Sequence, residues 1–245
     1  SVHIKSPEQT NMFSLSDNAV YSLCKDSEGG MWIGTFFGGV NYYPPRYTGF
    51  DKFWPHDDTR FFGKRVREFC QDRFGTLWIG TEDKGLFSID ADSGQIGKYP
   101  DPGIGTNIHG LCADGDRLWV GTFSGALNRI DLNTKALRQW ECGDADWPLP
   151  STDAFCIMRT RDSLVWVGTT LGAAVHDPVT DSFSRVEELG DAFVYYILED
   201  RSGRLWFATY ADGLYCCDRN TGEWRHWTAD RNRPGALPGN KLCDI

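Results

Sequence analysis

Apolar residues in this chain gather into short runs broken by Gly, Asp, Asn and Ser, and one arrangement of them returns five times. Each copy opens with an apolar pair three apart: Val20/Leu23, Val66/Phe69, Ile108/Leu111, Ala154/Ile157 and Val194/Ile197. A D-x-x-G turn follows as Asp26…Gly29, Asp72…Gly75 and Asp200…Gly203, and in altered form as Asp114-Gly115-Asp116 and Arg161-Asp162-Ser163. Asp at the first position and Gly at the last is a tight-turn signal, so the apolar pair ends one strand and the turn starts a hairpin. The second strand reads Leu77-Trp78-Ile79-Gly80-Thr81 and its relatives. Its unbroken apolar core predicts cover on both faces of the sheet. The small residue after that core (Gly34, Gly80, Gly121, Gly168, Ala208) predicts close approach of a neighbouring backbone. A third strand follows a Gly-bearing loop, as in Gly39-Val40-Asn41-Tyr42 and Gly85-Leu86-Phe87-Ser88. A fourth carries two bulky residues: Phe50/Phe53, Ile96/Tyr99, Leu137/Trp140, Phe183/Val186 and Trp224/Trp227.

The tryptophans of the second strands, Trp32, Trp78, Trp119, Trp166 and Trp206, stand 40 to 47 residues apart. Four antiparallel strands repeated at such a period predict an all-β fold, a β-propeller of four-stranded antiparallel blades. The expected blades cover about residues 16–57, 62–102, 104–142, 150–188 and 190–230, after a lead or partial outer strand at 1–15. Residues 239–245 read as the start of a sixth blade, because Gly239-Asn240-Lys241-Leu242 parallels Asp17-Asn18-Ala19-Val20. The chain is therefore expected to be a piece of a larger, seven-bladed or tandem propeller. An open array leaves edges and faces that need covering. The recurring Trp is expected to pack between blades and the recurring Thr (Thr35, Thr81, Thr122, Thr169, Thr209) to make a repeated structural hydrogen bond.

Acidic residues outnumber basic ones, 34 to 25, for a formal charge of −9. This argues against a nucleic-acid surface. There is no apolar run long enough to span a bilayer, so membrane attachment is expected only through segments absent from this sequence. Eight cysteines are present. Cys24, Cys70 and Cys112 hold equivalent places in three copies, too far apart to pair, and read as small buried hydrophobes. The histidines His3, His56, His109, His176 and His226 show no metal-ligand spacing, and no nucleotide loop or nucleophile elbow occurs, so no metal or cofactor is expected.

The motif V-x-x-I-x-x-D-x-x-G-x-L-W-I-G-T-x-x-G-G-L, which residues 26–43 match closely, resembles the two-component regulator propeller repeat. The resemblance covers about residues 16–245. It implies a ligand-sensing, non-catalytic region of a hybrid two-component sensor histidine kinase. It further implies a periplasmic location, a homodimer in the full-length sensor, and a glycan-derived oligosaccharide as ligand. No Trp-Asp dipeptide occurs, and the Asp-to-Gly spacing does not fit a sialidase box.

Function is expected on variable loops set on the rigid frame. The loops between second and third strands supply Phe36, Phe37, Phe123 and Tyr210 for stacking on sugar faces. Glu82, Asp83 and Asp212 are candidates to accept hydroxyl hydrogen bonds, and Lys84 to meet a carboxylate or sulfate. Trp147 in the Trp147-Pro148-Leu149-Pro150 connection and His109 on a first strand complete the set. Packing roles compete with each assignment, most strongly for Phe36 and Phe37. A propeller lyase or glycosidase using His109 with Tyr210 or Glu82, or a protein-docking scaffold, are the alternatives.

Overall fold

A computed structural model of the chain describes residues 14–25, 27, 29–37, 40–43, 65–90, 95–100, 103–141 and 149–245. The chain divides into two compact units, residues 1–56 and 57–245. The first holds a three-stranded antiparallel sheet of β1 (Val20–Lys25), β2 (Met31–Thr35) and β3 (Val40–Tyr43). The expected outer strand with Phe50 and Phe53 lies outside the described residues.

The second unit holds four four-stranded antiparallel sheets, each in sequence order. They are β4 (Val66–Gln71) to β7 (Ile96–Lys98), with β5 (Leu77–Thr81) and β6 (Gly85–Ile89) between; β8 (Ile108–Asp114), β9 (Arg117–Thr122), β10 (Ala126–Asp131) and β11 (Leu137–Glu141); β12 (Ala154–Arg159), β13 (Val165–Thr169), β14 (Gly172–Asp177) and β15 (Ser182–Arg185); β16 (Val194–Glu199), β17 (Leu205–Thr209), β18 (Leu214–Asp218) and β19 (Glu223–Trp227). Helix among the described residues is limited to a 3-10 turn at Glu187–Leu189. The first strands β4, β8, β12 and β16 neighbour one another in that order, which makes them the inner strands of adjacent propeller blades.

The core lies between blades. One cluster joins Trp78 and Leu86 to Ile108, Leu111 and Val120 of the following blade. A second joins Trp119, Leu127 and Trp140 to Ala154, Ile157 and Val167, and a third joins Trp166 and Ala173 to Val194, Ile197 and Phe207. The expectation of an interblade indole thus holds for Trp78, Trp119 and Trp166, all buried. It fails for the other two. Trp206 is half-buried and stacks on Trp227 at 5.6 Å, within its own sheet. Trp32 is 45% exposed and leans on Tyr42 at 4.6 Å within its own small sheet.

The small residue after each indole matters for the reason expected. A Cβ at Gly121 would stand 2.5 Å from the Ala154 carbonyl oxygen, and one at Gly168 would stand 2.7 Å from Val194 Cγ1. The next blade's inner strand passes directly over these backbones. The repeated threonine hydroxyls donate to the opening of the third strand: Thr81 to Gly85 O, Thr122 to Ala126 O, Thr169 to Gly172 O and Thr209 to Gly213 O, at 2.7–2.8 Å. Among the cysteines, Cys112 is buried and Cys70 half-buried, and burial pushes both thiols up to about 12. Cys24 departs from the expectation and is exposed, because all of β1 is exposed.

A strap repeats at the loop end. Gly85 N–H donates to Thr106 O at 3.0 Å and Gly172 N–H to Ala192 O at 2.9 Å, each carbonyl belonging to the lead-in of the next inner strand. Gly213 N–H donates to Asn240 O at 2.9 Å in the same way. Leu242 N–H in turn donates to Thr209 O at 2.9 Å.

The D-x-x-G aspartate does more than start a turn. Asp72 Oδ1 accepts from the N–H groups of Phe74 (2.9 Å) and Thr76 (3.0 Å), while Oδ2 accepts from Trp78 Nε1 at 2.8 Å. Asp200 clamps Trp206 Nε1 the same way at 3.0 Å, and this hydrogen bond holds its carboxyl well below the usual range. Gly75 and Gly203 close these turns at φ 85° and 82°, where a side chain is strained. In the two altered turns the clamp is missing, and Trp119 Nε1 and Trp166 Nε1 are buried without a partner. An orphaned N–H costs about 1–3 kcal/mol. Burying an indole of about 150–250 Å² is worth roughly 4–6 kcal/mol at ~25 cal/mol per Å², so the ring stays in the interface regardless.

Two stability outcomes follow. Asp72→Ala frees an indole N–H and two backbone amides together and is expected to lower unfolding free energy by about 2–3 kcal/mol, read from urea denaturation. Thr160 is buried at the clamp position six residues before Trp166, so Thr160→Asp is expected to restore the acceptor and raise the urea midpoint.

Candidate functional site

Every blade contains an irregularity that the residue pattern does not reveal. On β4, Val66 faces Thr81 and Glu68 faces Gly80, so Arg67 is an extra residue without a partner. The same bulge sits between Ile108 and Gly110, between Ala154 and Cys156, between Val194 and Tyr196, and between Val20 and Ser22. A bulge bends its strand and re-aims one side chain. The re-aimed residues are Arg67, His109, Phe155 and Tyr195 in the second unit, and Tyr21 in the first.

These residues meet at the loop end of the inner strands in the second unit. The His109 ring lies 4.6 Å from Phe155, and Phe155 lies 4.7 Å from Tyr195. The Arg67 guanidinium carbon stands 4.8 Å from the Phe155 ring centre and 5.0 Å from that of Tyr195, a double cation–π arrangement. Loop residues extend the aromatic belt. Phe123 lies 5.3 Å from His109, and Tyr210 stacks near Phe193 (5.4 Å) and Tyr195 (6.2 Å). Lys241 Nζ donates to the Tyr210 hydroxyl at 3.1 Å. Tyr21 likewise stacks on Phe36 at 5.0 Å within the first unit.

Acidic groups border the belt. Glu82 Oε1 comes to 3.9 Å from His109 Nε2. Asp153 accepts from Ser124 N–H at 2.6 Å and from Thr170 Oγ1 at 2.9 Å, tying the loops of two blades together. Burial, then the charge of Arg67, lowers the His109 pKa against the opposing pull of Glu82 and Asp153, so the imidazole is neutral at pH 7. Glu68, one residue beyond the bulge, is pushed up to about 7 by burial, helped by Asp244 and opposed by Arg67.

Of the residues the sequence nominates, Glu82, His109, Phe123 and Tyr210 come together on this rim. Asp83 accepts from the Arg65 N–H at 3.4 Å and so closes its own loop. Lys84 and Asp212 donate their backbone N–H groups to Thr81 and Thr209. The Asp212 carbonyl also accepts from His226 at 2.6 Å. Phe36 and the 86% exposed Phe37 pack edge to face at 4.2 Å in the first unit. Trp147 lies outside the described residues. Arg67, Phe155, Phe193, Tyr195, Asp153 and Lys241 were missed. A signal for three of them was available: the residue just after the first apolar residue of each copy varies, as Tyr21, Arg67, His109, Phe155 and Tyr195. His176 is structural, fully buried and bonded to Asp181 at 2.9 Å.

Among the described residues no cluster of His, Cys, Asp or Glu is arranged to hold a metal ion. The site offers aromatic faces, one unpaired guanidinium, a neutral imidazole and carboxylate acceptors. That set suits a ligand with both apolar ring faces and hydrogen-bonding groups.

Residues 14–37, 61–83 and 188–211 match the family profile described as Two component regulator propeller. The three matched copies are those with an intact D-x-x-G turn; the two with altered turns and orphaned indoles are unmatched. The fold is similar to the extracellular domain of a putative hybrid two component system from B. thetaiotaomicron, with TM-score 0.70 and 19% identity over 98% of this chain and 32% of that one. It is also similar to a second such domain from the same organism (TM-score 0.52, 20% identity, 92% of this chain and 35% of the other). The virginiamycin B lyase of Staphylococcus aureus is similar too (TM-score 0.53, 15% identity, 91% and 73%). The chain spans about a third of the length of the two component system domains it resembles. At these identities the likeness establishes a β-propeller. No curated protein matches the sequence.

The buried Glu68 makes a pH-dependent prediction. Its folded pKa lies above its ordinary value of 4.5, so its contribution to stability is fully present below about 4.5 and is lost as pH rises through about 7. Glu68→Gln is therefore expected to stabilise the protein more at pH 8 than at pH 5. The difference is at most roughly 3 kcal/mol, since each pKa unit is worth about 1.4 kcal/mol. Paired urea titrations of both proteins at the two pH values measure it.

Proposed function

We propose that this chain is part of the extracytoplasmic, periplasmic sensing region of a hybrid two-component signalling protein, non-catalytic in itself, and that its rim binds a glycan-derived oligosaccharide. The observation that carries the reading is the belt of His109, Phe155 and Tyr195, re-aimed by one bulge per blade onto one end of the inner strands and extended by Tyr210 from a loop. Flat aromatic faces beside carboxylates suit sugars, whose axial hydrogens stack and whose hydroxyls donate. The regulator-propeller repeats and the similarity to two component extracellular domains support the sensory assignment. Signal would pass because the ligand binds one arrangement of blades or of a homodimer better than another.

Isothermal titration of the protein with a panel of disaccharides tests the reading. Binding is expected, weakened about tenfold or more by Tyr195→Ala, the loss typical of a central aromatic contact. Absence of binding to every sugar, or binding that Tyr195→Ala and Tyr210→Ala both leave unchanged, would refute it. A propeller lyase or glycosidase is the second reading, favoured by the neutral His109 beside Glu82 at 3.9 Å. It requires turnover of a glycan by the purified protein that His109→Ala abolishes.

A further inference from the structure

Among the described residues, Arg67 Nε, His109 Nδ1 and, on the lead-in to His109, Asn107 Oδ1 are buried at the rim with no hydrogen-bond partner. The orphaned Trp119 Nε1, Trp166 Nε1 and His176 Nδ1 differ from them, because they sit inside packed blades, against other side chains. Arg67 and His109 belong to adjacent inner strands and hold the same bulge position, which turns both side chains to the rim. A buried donor left unmade costs about 1–3 kcal/mol, and more when charged; with its proton on Nδ1, neutral His109 is a second such donor beside Arg67, and the two together mark a place where a partner is meant to bind.

Among the described residues no carboxylate lies within ion-pair distance of Arg67, although its charge acts on Glu68. Several other arginines hold a counter-ion: Arg129 and Arg138 on Asp181, Arg159 on Asp114, Arg204 on Asp200, Arg219 on Asp162. Glu68, Glu82 and Asp153 all lie in the same region, yet none pairs with the Arg67 guanidinium. The group stands instead beside the paired Phe155 and Tyr195 rings, near both, and their π-systems attract the cation without using its N–H groups. A planar guanidinium fixed this way, with its donors free, is prepared for a bidentate oxyanion. The neutral His109 adds an N–H without adding a second charge.

We infer that the rim is selective for an anionic ligand, with Arg67 as the receptor for a carboxylate or sulfate and His109 as its companion donor. The ligand class is then an acidic saccharide. This rests on the oligosaccharide reading above and narrows it. The oxyanion bridges Arg67 and His109 while the attached ring meets Phe123, which stands 5.3 Å from His109.

Calorimetric titration with three matched disaccharides, one neutral, one bearing a uronate and one bearing a sulfate, tests the inference, with benzoate as a carboxylate on a ring that is not a sugar. An acidic disaccharide is expected to bind about tenfold or more tightly than the neutral one, and the stronger of the two acids identifies the oxyanion. Arg67→Gln is expected to abolish that preference. Arg67→Lys, which keeps the charge without the fork, is expected to fall between. Urea denaturation of both variants establishes that they fold. Equal binding of neutral and acidic sugars, or a preference that survives Arg67→Gln, overturns the anion receptor and leaves the oligosaccharide reading standing. Binding of benzoate with no binding of any sugar does the reverse. No binding of any probe overturns both.

Discussion

The structure depends on one contact, the wedging of an indole between each blade and the next. A four-stranded sheet of this size has two apolar faces and cannot cover either alone. Trp78, Trp119 and Trp166 close the gap by filling the interface with the next blade's inner strand. The geometry imposes a second requirement, a residue without a Cβ just after the ring, because the adjoining inner strand passes within 2.5–2.8 Å of where that carbon would stand. Indole and glycine are thus one device. The aspartate that hydrogen-bonds the ring is an addition to it, present in Asp72 and Asp200 and dispensable in the two blades that bury the ring with its N–H unsatisfied.

The frame was legible because its causes are local and periodic. Strand order, turn positions, the interblade glycine and the threonine hydrogen bond each repeat at a fixed offset from a tryptophan, so one copy interprets the others. The fate of the outermost indoles was not legible. Burial of Trp32 and Trp206 depends on what stands beside their sheets, which the motif itself does not encode.

The rim was half legible. Glu82, His109, Phe123 and Tyr210 were found because loop tips vary among copies. Arg67, Phe155 and Tyr195 were overlooked because they lie inside strands, where alternation assigns a residue to one face or the other. A bulge is a property of hydrogen-bond register, two residues facing one, and it leaves no composition or spacing behind when every copy has it. It also explains why so many unlike side chains meet: the strands converge at the axis, and the irregular residue of each points to the same end.

The recurrence of that bulge separates two kinds of inheritance. Because the extra residue pairs with nothing across the ladder, its identity is released from the demands that govern every neighbour in the strand. Tyrosine, arginine, histidine and phenylalanine all stand at this position without disturbing the pairing on either side. A propeller of this type carries one freely writable letter per blade around a common opening. New chemical tastes can therefore arise by single exchanges at those letters, while the architecture that displays them is copied unchanged.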